Sequence, residues 1–140
     1  MSVGSRPPAF IDSNVWLYAA VGDDPSKQRA AATLVRGVAP VVSVQVINEV
    51  CSNLLRKAGY PNFRIGRLVR SFYRRCTVVG LDRDLMLDAA ALRDAYSLSY
   101  WDSLVVAAAD RSGVPVLYSE DLQDGLVVRG RLRIENPFRP

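Results

Sequence analysis

Histidine is missing altogether from the 140 residues. That absence excludes a Ser-His-Asp or Cys-His nucleophile, histidine-dependent ribonuclease chemistry and an ordinary His-containing zinc centre. Cysteine is scarce: Cys51 and Cys76 show neither metal-ligand spacing nor a disulfide framework, and are expected as core thiols in a reducing compartment. The nine glycines form neither G-x-G-x-x-G nor G-x-x-x-x-G-K-[ST], which removes the usual dinucleotide fingerprint and the P-loop. Long apolar runs are also lacking. The longest, Leu104 to Ala109, is far too short to span a bilayer, and Met1 to Pro8 has no signal-peptide core, so the expected location is cytoplasmic, with no membrane partner. Lysine occurs twice against sixteen arginines, at a net charge of +4. Arginine suits bidentate contact with phosphate, although a coding bias toward arginine explains the ratio equally well.

What remains for chemistry is carboxylate. Oxygen ligands without imidazole or paired thiolates favour hard cations, which points to Mg2+ or Mn2+. With 49% hydrophobic residues, the chain is expected to form one domain over residues 1–140, with 1–8 flexible.

The pattern alternates strand and helix. Ala9 to Ile11 reads as a strand, followed by the cap residues Asp12, Ser13 and Asn14 and a helix through Ala19. Pro25 opens a second helix ending near Gly37, and Pro40 to Val44 reads as a strand. Helices are expected over about Gln45 to Ala58 and Asn62 to Arg75, then a strand at Thr77 to Leu81. Further helices over Asp82 to Ala95 and Tyr100 to Ser112 precede strands at Pro115 to Tyr118 and Leu132 to Ile134. The expected fold class is α/β: a sheet of four or five mostly parallel strands between helices.

Each candidate acid has a structural alternative. Asp12 follows the first strand, where open parallel sheets bind ligands, but an Asx turn or helix cap also fits. Glu49 lies opposite the stripe formed by Val46, Ile47, Val50, Cys51, Leu54 and Leu55, on a side shared with Gln45, Asn53 and Arg56, as on a solvated face. Asp102 lies along the apolar side of its helix with Val105, Val106 and Ala109, yet Ser99 to Asp102 also fits a capping box. After the strand ending at Tyr118, spacing alone does not choose among Glu120, Asp121 and Asp124. The set outweighs its members, because gathered like charges are costly unless a cation or protons neutralise them. A stripe of Arg64, Arg67, Arg70 and Arg74 reads either as a solvated face or as a phosphate contact. A haloacid-dehalogenase-like phosphatase also has an acid after its first strand, but needs a second Asp two residues on, where Asn14 stands.

The segments Phe10-Ile-Asp-Ser-Asn14, Val46-Ile-Asn-Glu-Val50, Tyr100-Trp-Asp-Ser-Leu104 and Leu117-Tyr-Ser-Glu-Asp-Leu122 together resemble the PIN-domain family, specifically VapC-type toxins of toxin–antitoxin pairs. The resemblance covers nearly the whole chain and implies a three-layer PIN-like fold. It further implies a metal-dependent endoribonuclease cutting structured RNA such as tRNA or rRNA, a homodimer, and a cognate VapB-type antitoxin. By resemblance, Asp12, Glu49, Asp102 and Asp121 are the catalytic and metal-binding acids, with Ser13, Asn14 and Ser119 in support. Glu120 and Asp124 leave the fourth acid open. The competing expectation is a PIN-like RNA-binding or regulatory module with weak or no nuclease activity.

Overall fold

The computed structural model describes residues 5–139. In chain order the elements are β1 (Pro8–Ile11), α1 (Ser13–Ala20), α2 (Pro25–Gly37), β2 (Ala39–Ser43), α3 (Val44–Lys57) and α4 (Asn62–Arg75). There follow β3 (Thr77–Val79), α5 (Arg83–Tyr96), α6 (Tyr100–Ser112), β4 (Val116–Tyr118), β5 (Val127–Val128) and β6 (Leu132–Glu135). The expected flexible segment lies partly outside the described residues, at 1–4. Pro7 already accepts a hydrogen bond from the Ala39 amide, and Pro8 pairs with Ala39.

The sheet runs β3-β2-β1-β4-β6-β5. All neighbours are parallel except the β5–β6 hairpin. The two-residue β5 is the strand that periodicity did not predict. It is too short to alternate, and its hairpin turns at Arg129 and Gly130, with φ of 53° and 68°. Positive φ at both central positions is the type I′ pattern, usually signalled by Asn-Gly or Asp-Gly.

Side chains of β1 alternate between two cores, as a pleated strand requires. Phe10 enters the larger core with α3, α5 and α6, whereas Ala9 and Ile11 join Val15, Ala31 and Val38 on the α1–α2 side. Each such fully buried Phe or Ile contributes roughly 1.5–3 kcal/mol. Helix α6 is buried continuously from Ser103 to Asp110, which accounts for its unbroken apolar run. It stops at Gly113, whose φ of +80° suits a residue without Cβ. Cys51 is buried, Cys76 half-buried, and both are free thiols. Burial pushes the Cys76 thiol up to about 11.

One amphipathic expectation needs correction, and a second helix shows the same exposure of large apolar side chains. Leu55, placed in the apolar stripe of α3, is 44% exposed, and on α4 Phe63 and Tyr73 are 66% and 56% exposed. Only Phe72 of α4 is fully in the core, set edge-on against Trp16.

Strand order fixes the place of the site. The chain winds from β1 through β2 to β3 on one side, then crosses to β4 on the other side of β1. The crevice between the carboxyl ends of β1 and β4 is thus the topological switch point. Among the described residues no helix is long and apolar enough to cross a membrane.

Candidate active site

Register brings the first two polar groups together. Ile11 pairs with Tyr118, so the next residues, Asp12 and Ser119, leave adjacent strands side by side. The Asp12 amide donates to the Tyr118 carbonyl (3.0 Å), and Ser119 Oγ donates to Asp12 Oδ2 at 2.8 Å. Asp12 Oδ1 accepts from the Ser13 amide at 2.8 Å. That bond reaches only the first helical residue, whereas an ordinary N-cap reaches the second or third. Capping is therefore a small part of what Asp12 does.

Helix α1 then distributes the network. Ser13 Oγ donates to Glu49 Oε2 at 2.8 Å, and Asn14 Nδ2 donates to Asp121 Oδ2 at 3.1 Å. Asn14 Oδ1 accepts from the Glu120 amide, and Ser119 Oγ accepts from the Asp121 amide, which fixes the loop after β4. Asp12, Glu49 and Asp121 are thus linked by three short polar side chains. Asp12 is 6% exposed. Its carboxyl is pushed up to about 6, first by burial and further by the charges of Glu49 and Asp121, against the bonds from Ser119 and Ser13 that oppose the rise.

Glu49 does not sit on an open solvated face, as its position on α3 implied. It is half-buried, and Gln45, one turn earlier, donates to Glu49 Oε1 (2.9 Å) and to the Trp101 carbonyl (3.4 Å). Gln45 was noted on the polar side of α3 but not as a link to α6; its i, i+4 spacing to Glu49 was the available signal.

Asp102 stands somewhat apart. The Ser99 hydroxyl accepts from the Asp102 amide (3.2 Å), but among the described residues the Asp102 carboxylate makes no return bond. Only half of the capping box forms, so the half-buried carboxylate is not consumed by the helix start. It has no hydrogen bond to the other three acids and reaches them only through its neighbour Trp101 and Gln45.

The three acids after β4 separate cleanly. Glu120 pairs with Lys27 and accepts from Tyr18 Oη (2.8 Å). Burial alone would raise its carboxyl, but Lys27 and Tyr18 outweigh burial and hold it below the ordinary range. Asp124 accepts from the Asn136 amide at 2.8 Å. Asp121 alone of the three joins the network around Asp12. Neither Lys27 nor Tyr18 had been singled out from the sequence, because nothing in their local spacing marks a contact 93 or 102 residues away.

All donors here are oxygens, the set that suits a hard divalent cation. Among the described residues, however, no three carboxylates stand close enough to make a ready-formed ligand shell. The donor chemistry and the raised Asp12 carboxyl fit a cation; the spacing does not by itself display one.

A parallel α/β sheet with acids at its switch point defines a class of three-layer, carboxylate-lined domains. The PIN domain family model matches residues 9–123, and the chain belongs to that family. A search of curated proteins gives no significant match. Among solved structures, a toxin–antitoxin complex from Klebsiella pneumoniae is similar at TM-score 0.70 and 17% identity, over 94% of this chain and 99% of that one. The sarcin–ricin loop cleaving toxin VapC20 of Mycobacterium tuberculosis aligns at TM-score 0.65 and 18% identity, over 81% and 89%. VapBC2 of Rickettsia felis, bound to a DNA fragment from its promoter, aligns at TM-score 0.62 and 12% identity, over 92% and 99%. At these identities the likeness establishes the fold.

Proposed function

We propose that this protein is a metal-dependent endoribonuclease of the VapC type, the toxin of a toxin–antitoxin pair. The observation that carries the reading is the linked set Asp12, Glu49 and Asp121 at the switch point, with Asp12 driven up to about 6 by burial and by the other two carboxylates. Such a set is costly for a fold to hold without an electrostatic partner. Membership of the PIN family supports nuclease chemistry. The resemblance of the overall fold to toxin–antitoxin proteins supports the toxin reading and a cognate VapB-type antitoxin; a homodimer is proposed from the motif resemblance to VapC-type toxins alone.

In this reading Asp12, Asp121, Asp102 and Glu49 hold Mg2+ or Mn2+. Such an ion supplies water of lowered pKa and neutralises charge on the phosphoryl oxygens. The chain's own residues do the positioning. Ser13 and Gln45 grip the two Glu49 oxygens, so that this carboxylate would help orient the attacking water at a fixed place. Ser119 orients Asp12, and Asn14 orients Asp121. Asp102 is presented from the first turn of α6.

The test is cleavage of RNA by purified protein with Mg2+, Mn2+ or EDTA. Cleavage is expected with either ion, lost in EDTA, and lost in Asp12→Asn and Asp102→Asn. Wild-type rates in either variant would sink the assignment. A second reading, an RNA-binding module without cleavage, draws on the lack of a ready-formed ligand shell. Its signature is RNA bound but left uncut with both ions.

A further inference from the structure

Charge is distributed unevenly along this chain. Between Val50 and Leu81 there is no Asp or Glu, yet seven of the eighteen basic residues fall there. The segment therefore carries +7, while the other eleven basic residues face all fourteen acids and leave the rest at −3. Five of the seven are the α4 arginines Arg64, Arg67, Arg70, Arg74 and Arg75, all exposed. Among the described residues none of the five enters an ion pair, whereas Arg83, Arg111, Arg129, Arg131 and Arg133 all do. Among the described residues Arg6, Arg29, Arg36, Arg56 and Arg139 are also exposed and unpaired, but only α4 gathers five such arginines on one helix, which gives it a concentrated cationic surface to offer a partner.

The face has shape as well as charge. Arg64, Arg67, Arg70 and Arg74 line a groove of about 730 Å³ with Tyr60, Leu54 of α3 and Ala20 of α1. Arg64 stacks on the Tyr60 ring, 3.9 Å from its centroid, which holds the guanidinium ready rather than free. At about 100° per residue the four arginines span an arc of about 120°, over about 15 Å of helix. The exposed Phe63 ring falls within that arc. A cationic groove with one ring in its wall, Tyr60, and an exposed ring, Phe63, on the same helix face has the elements of surfaces that follow a single-stranded nucleic-acid backbone while bases stack. The groove is built against α3, the helix that carries Glu49: Leu54 lies five residues beyond Glu49, about 7.5 Å along the axis and about 140° around it.

We infer that the α4 groove is a backbone track for single-stranded RNA, holding substrate on the α3 side of the acids through Arg64, Arg67, Arg70 and Arg74. The inference rests on the nuclease reading for its choice of RNA over an acidic peptide; charge and shape stand without it.

The test is binding of a fluorescein-labelled single-stranded RNA to the full chain in EDTA, by anisotropy across a salt series. Each lost phosphate contact on a single strand lowers the salt slope by about 0.7, so Arg67→Gln with Arg70→Gln removes about 1.4 from the slope and weakens binding roughly 25-fold at 0.1 M salt. The control is Arg36→Gln with Arg83→Gln, an equal loss of charge away from the groove, expected to bind as wild type. Both double variants should keep the wild-type melting temperature; should the α4 pair melt early, Arg70→Gln alone is expected to show half the slope change. Wild-type binding and slope in the α4 variant overturn the track, as does an equal loss in the control. Loss of poly-Glu peptide binding with RNA binding intact also overturns it, in favour of an acidic partner. RNA held through α4 but uncut with Mg2+ or Mn2+ removes the nuclease reading and leaves the track. Cleavage that persists with unchanged binding after α4 neutralisation does the reverse.

Discussion

Neutralising Asp12 should stabilise the metal-free protein more at pH 8 than at pH 5. The carboxyl is pushed from 3.8 to about 6 in the folded state, chiefly by burial. At 1.36 kcal/mol per decade, holding Asp12 ionised at pH 8 costs the fold at most roughly 3 kcal/mol relative to the unfolded chain. Below 3.8 both states are protonated and the group costs nothing extra. Between 3.8 and about 6 the folded state binds the proton more tightly, so stability falls as pH rises through this window, and the full cost is present above it.

Asp12→Asn removes the charge and keeps an oxygen for the Ser13 amide. Its new amide group, however, meets Ser119 Oγ, which now donates to Asp12 while accepting from the Asp121 amide and from Asn14. That mismatch returns part of the gain. The net expectation is roughly 1–2 kcal/mol of stabilisation at pH 8, or several degrees in Tm for a domain of this size. Urea and thermal unfolding of wild type and variant in EDTA, at pH 5 and pH 8, measure it. The difference between proteins cancels the titration of every other group. A variant equally or less stable at both values would mean that Asp12 carries no electrostatic strain, and would take away the observation on which the functional reading rests.

Mn2+ should raise the melting temperature of wild type, by the equivalent of about 2.7 kcal/mol at a hundredfold excess over Kd, and leave Asp12→Asn nearly unmoved. Equal shifts in both would place the ion elsewhere. Asp121→Asn should abolish RNA cleavage while Glu120→Gln, which only loosens the contact with Lys27 and Tyr18, retains it; the opposite result in a cleavage assay reverses the assignment. Asp110, with a side chain 3% exposed, is gripped by Arg129 and Arg131. Asp110→Asn should cost roughly 1.5–3 kcal/mol in urea unfolding at pH 7. Arg131 first, then Arg129 against the opposing effect of burial, hold the Asp110 carboxyl below its ordinary range. The contribution is therefore present at neutral pH and is lost progressively as pH falls below the ordinary carboxylate value, so the gap between wild type and variant should narrow toward acid pH.

Asp110 also shows where the sequence stops being legible. Its helix was recognised with matching ends, Tyr100 and Ser112, because the cap at Ser99, the apolar run and Gly113 are all local signals. Nothing local announces that Asp110 meets arginines 19 and 21 residues on. Those arginines are placed by a hairpin turn whose Arg-Gly pair is an unusual type I′ sequence, with the Arg129 amide bound to Tyr96 Oη at 2.7 Å. The strands were legible for the opposite reason: β1, β2 and β4 are short apolar runs flanked by caps and turns, and strand-helix alternation implies parallel pairing. Asp12 was visible as a strand-end acid from that alternation alone.

Glu49 marks the boundary of helical-wheel reasoning. A wheel divides a helix into one side for the core and one for water, which presumes a single packing partner. Helix α3 has several: its buried stripe packs into the main core, the start of α1 meets Glu49 through Ser13, and the start of α6 meets Gln45 through the Trp101 carbonyl. A polar residue opposite the stripe therefore faces a crevice rather than bulk water, and Leu55 within the stripe remains exposed. Neither outcome follows from α3 alone. Both depend on the strand order, since β1 must lie beside both β2 and β4 to put Ser13 between Glu49 and the loop holding Asp121. The position of the candidate site is thus a property of topology, and the sequence discloses it only as far as it discloses the crossover from β3 to β4.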